Sequence, residues 1–118
     1  MRTIIFYKFD SRECPVSDFL DSLTSKKAQK VAWVLQLVEE LDVVPVTYFK
    51  KLVNTDSIWE VRVQIGNDIL RLLGFLDDGN LVVLTNGFQK KTQKTPKSEI
   101  DIAESRKRDY FQRKRESK

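Results

Sequence analysis

The chain has 118 residues and a net charge of +4, which is enough for one domain with a single hydrophobic core. It has no histidine and a single cysteine, Cys14, so an internal disulfide, a zinc cluster and Cys–His or Ser–His catalysis are excluded. We therefore expect a protein without a metal or another cofactor. No stretch has the length needed to span a membrane, so we expect a cytoplasmic protein that has no membrane partner.

Positive charge is concentrated in the last quarter of the chain. From Gln89 to Lys118 there are eleven Lys or Arg and five Asp or Glu residues, a net +6, which leaves 10 − 12 = −2 for the residues before them. Such an asymmetry favours a polyanionic partner, with nucleic acid first, or an acidic protein surface. A solvated helix face is an alternative explanation for the run from Arg106 to Lys118.

Hydrophobic periodicity predicts one compact α+β domain over residues 1–118. A first strand is expected at 4–9, because this run mixes β-branched and aromatic residues. A helical hairpin follows, with one helix entered at Cys14-Pro15 and a second starting at Ser25, and both are expected to cover one face of a sheet. The apolar set assigned to the second helix is Ala28, Val31, Ala32, Leu35, Val38 and Leu41.

Three strands of an antiparallel meander are predicted after Pro45, at 58–65, 69–76 and 81–88. With Gly66-Asn67 as the centre of the first turn, Ile65 would pair with Asp68, and Arg62 with Arg71. A final helix is expected from Pro96, with the hydroxyl of Thr95 capping its free N–H groups.

Arg62 and Arg71 are the first candidates for chemistry. Like charges directly opposed across two strands are destabilising, which favours an anion between them, and guanidinium groups match phosphate oxygens two at a time. The alternative is that Glu60, on the same face as Arg62, simply forms ion pairs with both arginines.

Lysines on both sides of the meander form the second candidate group. Mutual repulsion lowers lysine pKa values, so a lysine of such a cluster can serve as a base or acid where histidine is absent. RNA cleavage by the 2′-hydroxyl would then need a lysine to take its proton, arginine to stabilise the phosphorane, and a lysine or tyrosine to protonate the leaving oxygen. The lysines expected on one face are Lys50, Lys51, Lys90, Lys91 and Lys94.

The last three of these lysines fall on a predicted connector between a strand and a helix, within GFQKKTQKTPKSEI from Gly87 to Ile100. Alternation along an extended connector puts Lys90 and Lys91 on opposite sides. We predict proton transfer for Lys91 and phosphate contacts for Lys90 and Lys94.

Several segments resemble the RelE/HigB branch of bacterial toxins, most closely the phage-derived, HigB-like group of the RelE/ParE superfamily. They are FKKL from Phe49, IWEVR from Ile58, RLLGF from Arg71 and the GFQKKTQKTPK string. The resemblance implies a small antiparallel-rich sheet with an N-terminal helical hairpin and a C-terminal helix. It also implies a toxin that cleaves mRNA on the ribosome without a metal. The expected partners are the ribosome, mRNA and an antitoxin encoded alongside, of the helix-turn-helix type.

Site residues are also implied by this resemblance. The expected catalytic residues are Arg62, Arg71, Lys91 and Lys51, and the expected RNA-binding residues are Lys50, Phe88, Lys90 and Lys94. Phe88 stands where a ring could stack on a base. Two alternatives stay open: a ParE-like toxin that binds gyrase and cleaves nothing, and a non-catalytic nucleic-acid-binding module of phage origin.

Overall fold

The computed structural model describes residues 1–92 and 94–117, in which three helices flank a five-stranded mixed sheet. In chain order the elements are β1 (Thr3–Phe6), α1 (Pro15–Asp21), α2 (Ser25–Glu40), β2 (Phe49–Lys51), β3 (Trp59–Ile65), β4 (Asp68–Asp77), β5 (Leu81–Lys90) and α3 (Lys97–Glu116). The strand order is β1-β5-β4-β3-β2, with β1 parallel to β5 and the other three pairs antiparallel. The predicted α+β class and C-terminal helix are confirmed.

The first hairpin of the meander has the predicted register. Ile65 lies opposite Asp68, and Arg62 lies opposite Arg71. Gly66 supplies the positive φ, at 60°, that the tight turn requires. Because directly opposed residues of an antiparallel pair share a face, the two arginine side chains lie side by side.

The second hairpin contains a β-bulge at Thr85. Leu73 pairs with Asn86 and Gly74 with Leu84, so Thr85 is the extra residue of β5. Its hydroxyl donates to the carbonyl of Leu73 at 3.1 Å. Beyond the bulge the alternation of β5 is reversed, and Phe88 and Lys90 therefore lie on the same face as Arg71.

Apolar side chains cover both faces of the sheet. On one face, Val16 of α1 and three valines of α2 pack against β3, β4 and β5; these valines are Val31, Val34 and Val38. On the other face, α3 contributes Ala103 to a cluster with Ile58 and Leu73. Tyr110 and Phe111 of α3 pack farther along the sheet against Tyr7, Phe75 and Val83. Both N-terminal helices thus cover one face as predicted, while their arrangement as a hairpin stays a prediction.

Details of three predicted elements were wrong, and one strand was missed. The first strand ends at Phe6, and the short edge strand β2 was not predicted. In α2 the buried residue Val34 was left out of the predicted apolar set, whereas Ala32 and, beyond the helix end, Leu41 belonged to it and are exposed. β5 continues two residues further, to Lys90, because its backbone stays paired with β4 as far as Ile69.

The start of α3 also differs from the prediction. Pro96 is the N-cap residue, and no side chain caps the helix there. The hydroxyl of Thr95 instead donates to the Oε2 atom of Glu60. Within 1–92 and 94–117, no helix is long and apolar enough to cross a membrane.

Candidate functional site

Four charged side chains lie on the sheet face that α3 partly covers. Glu60 and Arg62 come from β3, Arg71 from the middle of β4, and Lys90 from the last position of β5. Glu60, Arg71 and Lys90 are 2%, 4% and 6% exposed. Charged side chains are almost never buried to this extent unless they are paired, so the cluster is a costly feature of the fold.

Glu60 is the central anion of this cluster. Its Oε1 atom lies 3.4 Å from the Nε atoms of both Arg62 and Arg71, and its Oε2 atom accepts the hydroxyl of Thr95. The ion pairs considered as the alternative explanation of the arginines are therefore present. They do not neutralise the site, because three cations and one carboxylate leave a net charge of +3 − 1 = +2.

Arg71 is oriented by one hydrogen bond and by its ion pair with Glu60. Its Nη1 atom donates to the carbonyl of Leu70 at 2.9 Å. Its buried Nε atom lies 3.4 Å from Glu60 and forms no hydrogen bond within the part of the chain that the structure describes. Burial lowers the pKa of Arg71, and the neighbouring Arg62 lowers it further against the opposing effect of Glu60. A buried guanidinium group with an ion pair but an incomplete set of hydrogen bonds is suited to binding a further anion.

The two adjacent lysines at the end of β5 lie in different environments. Lys90 belongs to the strand and is buried, and this burial, together with the charge of Arg71, lowers its pKa. Lys91 follows the strand and is exposed. The prediction that Lys90 lies on a connector was wrong. The opposite orientation of the two residues was right, but the buried residue at the arginines is Lys90.

The other candidate residues are dispersed around this cluster. Lys50 lies opposite Glu60 on β2 and therefore shares its face, at the exposed edge of the sheet. Lys51 lies opposite Trp59, whose ring packs in the core on the other face, so the predicted convergence of Lys50 and Lys51 was wrong.

Phe88 and Lys94 flank the site from β5 and the connector. Phe88 lies opposite Arg71 and is partly buried against Ile58, Leu73 and Ala103. Its ring thus borders the site and also supports the core beneath α3. Lys94 is exposed, and its carbonyl accepts the hydroxyl of Thr92 at 3.3 Å. Gln93, between Thr92 and Lys94, lies outside the described residues.

Much of the positive charge of α3 is engaged in structural contacts. Arg106 Nη1 donates to the carbonyl of Thr85 at 2.7 Å, and Lys107 forms an ion pair with Asp56 at 3.5 Å. The end of α3 is joined to β4 by the ion pair of Lys114 with Asp77, and Arg113 pairs with Asp109 within α3. Arg108 and Arg115 are exposed, so a solvated helix face still explains part of this run, of which Lys118 lies outside the described residues. The basic quarter of the chain anchors α3 as well as supplying charge.

A pocket of about 400 Å³ opens beside the cluster. Its lining residues are Lys30, Thr47, Tyr48, Arg62, Gln64 and Arg71. Lys30 and Tyr48 were not among the candidate residues from the sequence, because Lys30 lies on α2, away from the strands in the chain, and neither residue belongs to a motif. Within 1–92 and 94–117, no three His, Cys, Asp or Glu side chains are grouped closely enough to hold a metal ion.

The fold and site together define a small α+β protein with a cationic cluster on one face of its sheet. Residues 18–108 match the family model described as "Phage derived protein Gp49-like", which is 91 of the 118 residues. The chain belongs to this phage-derived, Gp49-like family. No curated protein matches the sequence.

Proposed function

We propose that this protein is the toxin of a toxin–antitoxin system and that it inhibits translation as a metal-independent, ribosome-dependent mRNA endoribonuclease. The observation that carries the proposal is the cluster of Arg62, Arg71 and Lys90, which is buried or half-buried and only partly neutralised by the carboxylate of Glu60. Membership of the Gp49-like family and the resemblance to HigB-like toxins support the toxin role. The proposed partners are mRNA on the ribosome and a helix-turn-helix antitoxin encoded beside the toxin.

In the proposed reaction, the 2′-hydroxyl oxygen of one nucleotide attacks the adjacent phosphorus while a lysine accepts its proton. The bond between phosphorus and the 5′-oxygen then breaks, which leaves a 2′,3′-cyclic phosphate and, after protonation, a 5′-hydroxyl. Arg62 and Arg71 would stabilise the charge that develops on the phosphorane, because preorganised donors in a buried site act strongly on such charge. Their residual positive charge beside Glu60 supports this role.

Lys90 is our candidate for the proton acceptor. A lysine must be neutral to accept a proton, and burial near Arg71 favours the neutral form. This assignment replaces the prediction for Lys91. Lys91 and Lys94 are exposed beyond the end of β5, which suits them to phosphate contacts instead.

Lysine-to-arginine variants separate the two roles. Lys90→Arg keeps the positive charge, but a guanidinium group cannot release its proton near neutral pH and so cannot act as the base. We therefore expect the cleavage rate to fall by about 10²–10⁴-fold while ribosome binding persists. Lys91→Arg and Lys94→Arg should cleave at the parent rate. Lys91→Ala should lower the slope of log affinity against log salt by about 0.7. A fully active, folded Lys90→Arg variant would remove Lys90 from the mechanism.

Brief expression in a bacterium tests the function as a whole. We expect growth arrest, loss of translation and transcripts that end in 2′,3′-cyclic phosphates, with rescue by the neighbouring reading frame. Arrest of replication with DNA damage and intact transcripts would favour the gyrase-binding alternative. Harmless accumulation of folded protein would contradict the toxin proposal.

A further inference from the structure

A half-exposed tryptophan lies at the edge of the pocket beside Arg62 and Arg71. Trp33, on α2, is 45% exposed. Its ring meets that of Tyr48 edge to face, with centroids 5.7 Å apart and an interplanar angle of 87°. Tyr48 forms the aromatic wall of the pocket, and Trp33, which is not itself a lining residue, is an exposed ring in contact with that wall.

Lys30 connects this aromatic wall to the cationic wall. Its ammonium group lies 4.8 Å from the centroid of the Trp33 ring, and the same residue lines the pocket. This cation–π contact places the ammonium group of Lys30, a pocket residue, over one face of the indole. Lysine has a flexible four-carbon stem, so its ammonium group can leave the ring without a change in the backbone.

Charge distinguishes among ligands for this pocket. Of its six lining residues, three are cationic and none is acidic; the cations are Lys30, Arg62 and Arg71. Aromatic rings beside a positively charged groove are the combination by which proteins bind single-stranded nucleic acid. An apolar peptide would leave the arginines without an anion, whereas a nucleotide offers a flat base to the rings and a phosphate to the cations.

We propose that this pocket is a subsite for one unpaired nucleotide, whose base stacks on Trp33 and meets the ring of Tyr48 edge to face, while its phosphate lies against Arg62 and Arg71. Lys30 turns from the indole toward the phosphate when the base arrives. The volume of about 400 Å³ is within the range of small-ligand pockets. The inference rests on the proposed function for RNA as the substrate, but nucleotide binding here does not require cleavage.

Fluorescence of the isolated protein tests the subsite directly. The chain has two tryptophans, so a Trp59→Phe variant makes Trp33 the single reporter. The probe is a single-stranded 2′-O-methyl trinucleotide, which cannot be cleaved through its 2′-oxygen. We expect a saturable change in Trp33 emission. The same trinucleotide with an abasic central position should bind about tenfold to a hundredfold more weakly.

Substitutions with a labelled trinucleotide locate the stacking platform. Trp33→Ala and Tyr48→Ala should each weaken binding by about tenfold to a hundredfold, whereas Trp33→Phe and Tyr48→Phe should stay close to the parent. Phe9→Ala is the control, because this ring is 36% exposed but stacks beneath Arg106 of α3 rather than beside the pocket. In Trp33→Ala, the abasic position should weaken binding less than it does in the parent, since both changes remove the contact between the base and Trp33.

The outcomes separate this inference from the proposed function. Nucleotide binding that depends on Trp33, in a protein that cuts no mRNA, would support the subsite and contradict the ribonuclease proposal. Cleavage that proceeds with unchanged trinucleotide affinity in Trp33→Ala and Tyr48→Ala would overturn the subsite alone. Loss of antitoxin binding but not of trinucleotide binding in Trp33→Ala would also overturn it, because Trp33 would then belong to a protein interface.

Discussion

Replacing Arg71 gives the sharpest test of the cationic cluster. Its guanidinium group donates to the carbonyl of Leu70, and its buried Nε atom pairs with Glu60 without forming a hydrogen bond. Loss of one such preorganised donor costs about 2.7–4 kcal/mol of transition-state stabilisation, so Arg71→Ala should cleave about 10²–10³ more slowly. Arg71→Lys keeps the charge but not the planar fork, and we expect an intermediate rate.

The same substitution has a bounded effect on stability. Removing one partner of a buried ion pair costs about 3–5 kcal/mol when the other charge is left alone. Glu60 retains Arg62 and Thr95 in Arg71→Ala, and one of three mutually repelling cations is gone. We therefore expect the free energy of unfolding to fall by about 1–3 kcal/mol, close to the cost of an ordinary lost buried hydrogen bond.

Single-turnover cleavage on programmed ribosomes, combined with urea unfolding, measures both quantities. Arg106→Ala is the matched control, since Arg106 is also half-buried, donates to a backbone carbonyl and lies over the ring of Phe9. We expect a similar loss of stability in this variant without the loss of cleavage. If Arg71→Ala cleaves at the parent rate, or loses activity only in proportion to its unfolded fraction, Arg71 has no part in the chemistry.

Two further predictions concern stability. The hydrogen bond from Lys114, ahead of that from Tyr110, lowers the pKa of Asp77. The Asp77 carboxylate is therefore easier to ionise in the folded state than in the unfolded state. Its contribution to the free energy of unfolding is present above the unfolded pKa of 3.8 and is lost as the pH falls through the lower folded pKa. Asp77→Asn should lower the free energy of unfolding at pH 7 by about 1–3 kcal/mol, with the gap to the parent closing in acid; a gap independent of pH would contradict this. Gly87→Ala would place a Cβ atom 2.4 Å from the Phe19 ring, so we expect a loss of about 1–3 kcal/mol by thermal or urea unfolding. Adding Gly87→Ala to a Phe19→Leu variant should cost less stability than adding it to the parent, because the ring that clashes is gone. Equal stability of Gly87→Ala and the parent would show that the Phe19 ring moves aside freely.

The opposition of Arg62 and Arg71 was predictable from the sequence because it depends on local rules. A two-residue turn at Gly66-Asn67 determines which residues face each other, and the period of two along a strand then determines the face they share. The α+β class and the position of α3 were predictable for the same reason. Periodicity and turn residues act over a few neighbours in the chain.

The assignment of Lys90 to the cluster was decided only by the tertiary structure. Strict alternation from the core residues Val82 and Leu84 would place Lys90 on the face of α1 and α2, and Lys91 beside the arginines. The bulge at Thr85 reverses this phase, and it exists only where β5 pairs with β4. Pairing between strands is a non-local property, so no pattern within β5 alone indicates the bulge.

The remaining partners in the site also depend on contacts between distant parts of the chain. Thr95 carries the signature of a helix cap in the sequence, yet its hydroxyl binds Glu60, 35 residues away. Trp33 falls outside the apolar set of its helix, and only the packing of α2 beside β3 brings it to the pocket edge with Tyr48. The sequence by itself thus determined every described element except β2, as well as the arginine pair, because these depend on near neighbours. The buried lysine, the polar partner of Glu60 and the aromatic wall were decided by packing between elements.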